Sequence, residues 1–491
     1  MRSTKTELRP RDGPPPDRST CYRLVGAQAF VPLGRGTHAR AGHDGRWAPR
    51  GVSTTETPPS DPPPRGGPLH TPPPPVRPRG LYDPFMLWQP SLPERYLRTA
   101  PDDLARAIAA ARERLGQSLL ILGHHYQTDE VIRHADVTGD SLKLSQVAAA
   151  IAAERAVQHV VFCGVHFMAE TADMLTPAHV KVILPDLSAG CSMADMAQYD
   201  DTVDAWDALH LALGGDNWNG RIIPITYVNS SAAIKAFVGS RGGACCTSSN
   251  ARRVFEWAAA GGETPARPSE EIKVLFLPDQ HLGRNTAAAH GFDVASESCV
   301  YDPTLTRRGE PLGGASADEL RRSRVILWAG HCSVHKLFRP EHAAAVRAAD
   351  AATPDRPKTT ILVHPECGKE VVDLADLAGS TEYIISQIRQ APPGSRWAVG
   401  TEFHLVARLA REAAARGVEV RILSDCQCLC TTMYRIDQPH LLWALDHLTG
   451  EATGTPKAVN VISVHPEVRR DAVRALDRML ALSKPSVATV D

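Results

Sequence analysis

VKVILPDLSAGCSMAD, residues Val180–Asp195, is a short apolar run that opens into a polar, glycine-containing loop holding a cysteine. A run of this length and composition, closed by Pro and Asp, reads as a strand buried on both faces of a parallel sheet. The design recurs in SRVILWAGHCSVHKLF (Ser323–Phe338) and VEVRILSDCQCLCTTM (Val418–Met433). Cys191, Cys332 and one of Cys426, Cys428 and Cys430 are therefore expected to meet at one point.

The chain around these stretches repeats a strand–loop–helix pattern. From Pro101, Leu104, Ile108, Ala111 and Leu115 lie at helical spacing, and Gly116 ends the helix. A strand over Ser118–Leu122 leads to the loop GHHYQ (Gly123–Gln127), and GDS (Gly139–Ser141) starts a second helix. HVVFCGV then feeds a helix from Met168, and VKVILP feeds the Cys191 loop. A second copy has strands RIIPITYV, IKVLFLP and SRVILWA, with loops YVNSS, PDQHLGRN and GHCSVH. A third has KTTILVH, RWAVG and VEVRILS, with HPECGKE, GTEFH and DCQCLC.

The order predicts an α/β fold: three homologous three-layer α/β/α units with parallel sheets, arranged around a pseudo-threefold axis. Carboxyl ends of parallel strands are where such folds bind ligands, which places the active site at the central junction. The expected boundaries are 81–205, 206–345 and 346–491, the last with C-terminal helices. Residues 1–80 are dense in Pro, Gly, Arg and Ser, bury too little to offset chain entropy, and are expected as a disordered tail. Translation starting at Met86 is the alternative.

Composition narrows the function. The chain has 491 residues, 43% hydrophobic and 22% charged, with net charge -1. The charge is near zero and the basic residues are scattered, so neither nucleic acid nor an anionic membrane is expected as partner. No apolar run reaches the ~18 residues of a membrane span. The first residues have no apolar core, so a secretory signal is not expected and the location expected is cytoplasmic. In that compartment eleven cysteines call for something other than disulfides. Cys163, inside an apolar strand pattern, and Cys299, Cys245 and Cys246 are assigned to packing.

Three thiolates suit a cubane iron–sulfur cluster with one iron lacking a protein ligand; four suit zinc or an electron-transfer cluster. An open iron acts as a Lewis acid. The paired spacings of zinc sites are missing. The other strand ends carry groups that bind anions and move protons: His124 and Tyr126; Ser141; Tyr227 and Asn229; Thr247, Ser248 and Asn250; His364 and Glu366; Ser380 and Thr381. Several stand at helix starts, where free N–H groups and the dipole favour carboxylate or phosphate. Each hydroxyl taken alone reads as a plain N-cap, and it is their collection at one face that points to anion binding. His364 and Glu366, split by Pro365, suit shared acid–base work, and His124 with Tyr126 is a comparable pair.

GHHYQTDEVIRHADVTGDSLKLS, FMAETADML, PDLSAGCSMAD, YVNSSAAIKA, CCTSSNA, PDQHLG, GHCSVH, HPEC and GTEFHL together resemble the quinolinate synthase family, over about Pro101 to Leu445. The resemblance implies a carbon–carbon bond-forming, transferase-type enzyme of NAD biosynthesis. Its substrates would be iminoaspartate and dihydroxyacetone phosphate, with phosphate and two waters released. Its cofactor would be a [4Fe–4S] cluster on Cys191, Cys332 and Cys430. TTMYRID after Cys430 resembles the family context, although Thr431 stands where the family commonly has Pro. The resemblance further implies substrate-binding roles for His124, Ser141, Tyr227, Asn229, Ser248 and Thr381, and acid–base roles for Tyr126, His364 and Glu366. L-aspartate oxidase would be the supplier in a transient hand-off. Three rival readings are a redox or sensor cluster with four protein ligands, a hydro-lyase of other substrates, and a zinc-stabilised binding module.

Overall fold

The computed structural model describes residues 89, 91–154, 157–425 and 428–483. The tail expected over 1–80 and Cys426 lie outside them. Among the described residues no helix is long and apolar enough to cross a membrane.

Three parallel sheets are built in chain order. In the first, β1 (Leu119–His124), β2 (Val137–Gly139), β3 (His159–Cys163) and β4 (Lys181–Ile183) run in the order β4-β3-β1-β2. In the second, β5 (Gly220–Tyr227), β6 (Ala244–Cys246), β7 (Glu271–Leu277), β8 (Ser298–Tyr301) and β9 (Val325–Trp328) run β6-β5-β7-β9-β8. In the third, β10 (Thr359–Val363), β11 (Leu377–Ala378), β12 (Arg396–Gly400) and β13 (Glu419–Ile422) run β11-β10-β12-β13. Four strands correspond in every sheet, where the sequence suggested three. The extra one (β2, β6 or β11) is two or three residues long, too short to show a period.

The third unit shows why the sequence folds into layers. Along β10 and β12, Leu362 and Val399 face the helices Thr381–Gln390 and Phe403–Ala414, in a core with Ile384, Ile388, Leu405 and Leu409. Ile361, Val363 and Ala398 face the other way, into a core with Val334, Phe338 and Val346. This period of two buries both faces, as a sheet covered by helices requires. Helix ends follow local chemistry: Pro101–Leu115 begins on proline and ends at Gly116 with φ +52, and Glu402 caps Phe403–Ala414 through the amides of His404 and Leu405.

The stretch after β13 does not extend the third sheet. β14 (Val461–Ile462) adds antiparallel to β4. The helix Gln438–Thr449 packs on Pro101–Leu115, and Pro466–Ser483 packs on Ala232–Ser240 and β6. At Gly239 the last two helices touch through backbone, where a Cβ would come 1.9 Å from the Asp471 carbonyl.

Candidate active site

Equivalent strands deliver equivalent chemistry. The first long strand of each unit, β1, β5 and β10, ends in a pair of polar residues two apart: His124 and Tyr126, Tyr227 and Asn229, His364 and Glu366. The short strands β2, β6 and β11 lead to hydroxyls at Ser141, Ser248 and Thr381. The strands β4, β9 and β13 lead to Cys191, Cys332 and Cys430. All twelve of these residues line one cavity, whose atom-free space of ≈ 670 Å³ includes the part open to solvent. Phe167, Met168, Met193, Val334 and Met433 supply its apolar wall.

The cysteine loops are held by one repeated backbone pattern. In each unit the first residue of the helix after the middle strand donates its amide to the carbonyl two residues before a cysteine. His166 donates to Ala189 at 2.8 Å, Gln280 to Gly330 at 3.0 Å and Phe403 to Cys428 at 3.0 Å. The cysteines so placed are Cys191, Cys332 and Cys430. Each cysteine carbonyl then accepts from the start of the next turn: Asp195 at 3.1 Å, Lys336 at 3.1 Å and Met433 at 3.0 Å. Gly330 permits the close approach in the second unit, since a Cβ there would lie 2.2 Å from the Pro278 carbonyl. Cys428 is fully buried in the third core with its sulfur 3.2 Å from Ser424 Oγ, whereas Cys430 lines the cavity.

The three cavity thiols fit a metal centre by their chemistry. Burial, with Cys430 as neighbour, pushes the Cys191 thiol up to about 12. Burial, then Glu366, then Cys191 and Cys430 push Cys332 well above the usual thiol range. Cys430 is raised, chiefly by burial. Thiols whose ionisation is opposed by burial and by one another become thiolates when a positive metal centre sits among them.

Beside Cys332 lies an acid–base group. Glu366 Oε2 is 2.8 Å from His335 Nδ1, and Glu366 Oε1 is 3.8 Å from His364 Nδ1. The His335 and His364 rings stack with centroids 4.4 Å apart. One ligand-type atom each from Cys332, His335 and Glu366 lie within 4.8 Å of one another. His335 Nε2 lies 3.1 Å from Thr401 Oγ1, which is 3.0 Å from Tyr126 Oη, itself 3.3 Å from Thr381 Oγ1. Burial pushes Glu366 up, but His335 and His364 outweigh it and hold the carboxyl below its usual range. His364 is lowered to about 3 by burial and then by His335. His124 is lowered to about 3 by burial and then by His125. Tyr126 and Tyr227 are raised by burial and by Glu366, so both keep their phenolic protons.

Several assignments change in detail. Asn250, grouped with the anion-binding run, instead accepts from the Thr247 amide and donates to Ser483 Oγ at 2.6 Å. Ser380 is the N-cap that accepts from the Tyr383 amide, which leaves Thr381 to face the cavity. His125 pairs with Glu382 at 3.2 Å. His335 and Thr401 were given no role by the sequence. The signal for His335 was its place three residues after Cys332 in GHCSVH; Thr401 carried none beyond standing at a strand end.

The family model described as "NadA: Quinolinate synthetase A protein" matches residues 106–481. A protein named quinolinate synthase from Acidobacterium capsulatum is 51% identical over 389 residues, which is 79% of this chain and 95% of that protein. Proteins of the same name from a Geobacillus species and from Streptomyces coelicolor are 50% and 51% identical. They cover 80% and 78% of this chain, and 97% and 89% of their own lengths. With three parallel-sheet α/β units and identity of this extent, the chain belongs to the quinolinate synthase family and is an enzyme with quinolinate synthase activity.

Proposed function

We propose that the cavity condenses iminoaspartate with dihydroxyacetone phosphate to quinolinate, releasing phosphate and two waters. The observation that carries this reading is the convergence of three thiols, three hydroxyls and three polar pairs on one cavity. We further assign Cys191, Cys332 and Cys430 as ligands of a [4Fe–4S] cluster, in keeping with a family that generally depends on iron–sulfur cofactors. When bound, that group supplies an iron without a protein ligand, which serves as a Lewis acid for a substrate oxygen.

The chain's own residues account for binding and proton handling. The substrates bring two carboxylates and a phosphate. Ser141 and Thr381 each open a helix of ten or more residues, where unpaired amides and the dipole favour anions. Ser248 stands before a third helix, Ala251–Ala259. Asn229 Oδ1 is buried without a hydrogen-bond partner among the described residues. A substrate hydroxyl or imine N–H satisfies it, since a buried acceptor left unpaired is costly. His124 and His364, held neutral, donate or accept a hydrogen bond without adding charge. Glu366 is the anion that takes a proton from a substrate carbon during carbonyl isomerisation. His335 fixes its orientation, and Tyr227 is hydrogen-bonded beside it.

The apolar wall excludes water, which protects imine intermediates from hydrolysis. That lability is the reason a transient hand-off from L-aspartate oxidase, in the cytoplasm, completes this reading. Anaerobic spectroscopy of the cluster-loaded enzyme with added quinolinate tests it. The expected result is a perturbed cluster spectrum; an unchanged spectrum, with four protein ligands to the cluster, would favour a redox or sensor protein.

A further inference from the structure

Lys235 stands in YVNSSAAIKA, a stretch whose Tyr227 and Asn229 line the cavity and whose lysine handles neither substrate nor proton in that reaction. It lies in the helix Ala232–Ser240 and has no exposed surface. Its ammonium donates to the carbonyl of Ser230, the residue after Asn229. It also lies 5.6 Å from the ring centroid of Phe167, part of the cavity's apolar wall. The cation therefore sits one layer behind two cavity residues, Asn229 from the second unit and Phe167 from the first.

Burying an ammonium is costly, and an aliphatic side chain of the same length would avoid that cost. Among the described residues one other lysine is fully buried, Lys273 near the start of β7, and Glu271 matches its charge at 2.5 Å. Lys235 instead meets a neutral carbonyl and an aromatic ring. Burial lowers its ammonium, and Glu170 is among the groups that oppose this shift. Glu170 itself accepts from the Ala232 amide at 2.9 Å and lies 3.9 Å from His166 Nδ1.

The cavity has a use for such a charge. The substrates bring two carboxylates and a phosphate, and Glu366 is a further anion held below its usual range by its histidine neighbours. Among the described residues that line the cavity there is neither lysine nor arginine. A charge in surroundings that exclude water acts with less screening than one in solvent, so it need not touch the anion it attracts.

We propose that Lys235 is the buried counter-charge of the site, a positioning residue that draws the anionic groups of the substrates into the cavity from behind Asn229 and Phe167. Its role is charge rather than loop shape. The loop has neutral supports of its own: Thr226 Oγ1 donates to Ser230 Oγ at 3.0 Å, Ser230 Oγ donates to the Tyr227 carbonyl at 2.8 Å, and Ser231 Oγ accepts from the Ile234 amide at 3.3 Å. Loss of the ammonium leaves these in place and removes the field.

The inference rests on the cavity being the quinolinate-forming site, and the test separates the two. Lys235→Met removes the charge and keeps the length; Lys235→Gln removes the charge and keeps an N–H donor. Cluster-loaded enzymes with matched iron content are titrated anaerobically with quinolinate, a dianion, and with pyridine-2-carboxylate, a monoanion built on the same ring. Kd is read from the cluster spectrum. Each variant is expected to weaken binding by about tenfold per ligand charge, hence about 100-fold for quinolinate and about tenfold for pyridine-2-carboxylate. Unchanged Kd values, an equal loss for the two ligands, or full affinity retained by Lys235→Gln would overturn the counter-charge. No binding of quinolinate by the unmodified enzyme would instead overturn the reading of the site.

Discussion

The amide of Phe403 donates to the carbonyl of Cys428 at 3.0 Å, and this bond fixes that Cys430 rather than Cys428 reaches the cavity. With Cys428 tied to the helix start, Cys430 takes the position that Cys191 and Cys332 hold in their own units. Cys430→Ser is expected to lose bound iron and product together, measured by iron content and anaerobic turnover. Cys428→Ser should retain both and lose about 1–2 kcal/mol of stability, since it buries a second hydroxyl beside Ser424 in an apolar core. Retained iron in Cys430→Ser would contradict the assignment.

His335 is the neighbour on which the buried Glu366 depends. His335→Ala leaves that carboxylate without its 2.8 Å partner. Removing one member of a buried pair typically costs about 3–5 kcal/mol. Chemical denaturation should show a loss of that order, and kcat should fall by about 10²–10⁴-fold. A variant as stable and active as the unmodified enzyme would show that His335 does not hold Glu366.

Arg408, on the helix Phe403–Ala414, clamps the first unit's substrate loop to the third unit. Its guanidinium donates to Asp129 at 2.8 Å and to the carbonyls of His125 at 3.0 Å and Gln127 at 2.7 Å. Arg408→Met releases the segment that carries His124 and Tyr126. The expected outcome is a fall in kcat/KM of about tenfold with iron content unchanged, on the rule that small misplacements of positioning groups carry large rate penalties. Unaltered kcat/KM would show that the clamp has no part in catalysis.

His124 and His364 should each contribute stability that rises with pH across the acid range. His124 and His364 are lowered to about 3 in the folded chain, against about 6.5 when unfolded. Between those values the unfolded chain binds more protons, so unfolding is favoured as pH falls through 6.5 toward 3. Near pH 5 the two rings together give a slope of about 2.7 kcal/mol per pH unit. Denaturation of the cluster-free protein at several pH values measures it. Replacing both with Gln should flatten the slope, and an unchanged slope would show that neither ring is held neutral.

Much of the fold and site was legible because it is written in short contiguous runs. Apolar strands ending in polar loops mark β1, β5, β10 and the strands before the cysteines, and the residues after them face the cavity. What was missed lacks a local signal. β2, β6 and β11 have two or three residues each, yet they set Ser141, Ser248 and Thr381 at the cavity wall. β14 also has two residues, and it pairs across the chain with β4. Thr401 and His335 are 66 positions apart and matter only because three sheets bring their strand ends together. No periodicity in one segment encodes such a contact.

The most direct measurement is anaerobic assay of quinolinate from iminoaspartate and dihydroxyacetone phosphate. It is made on the cluster-loaded enzyme and on Cys426→Ser, Cys428→Ser and Cys430→Ser separately. The expected result is product from the unmodified enzyme and from the first two variants, and neither product nor cluster from Cys430→Ser. Product from Cys430→Ser, or none from the fully loaded unmodified enzyme, would contradict a three-cysteine centre serving this reaction.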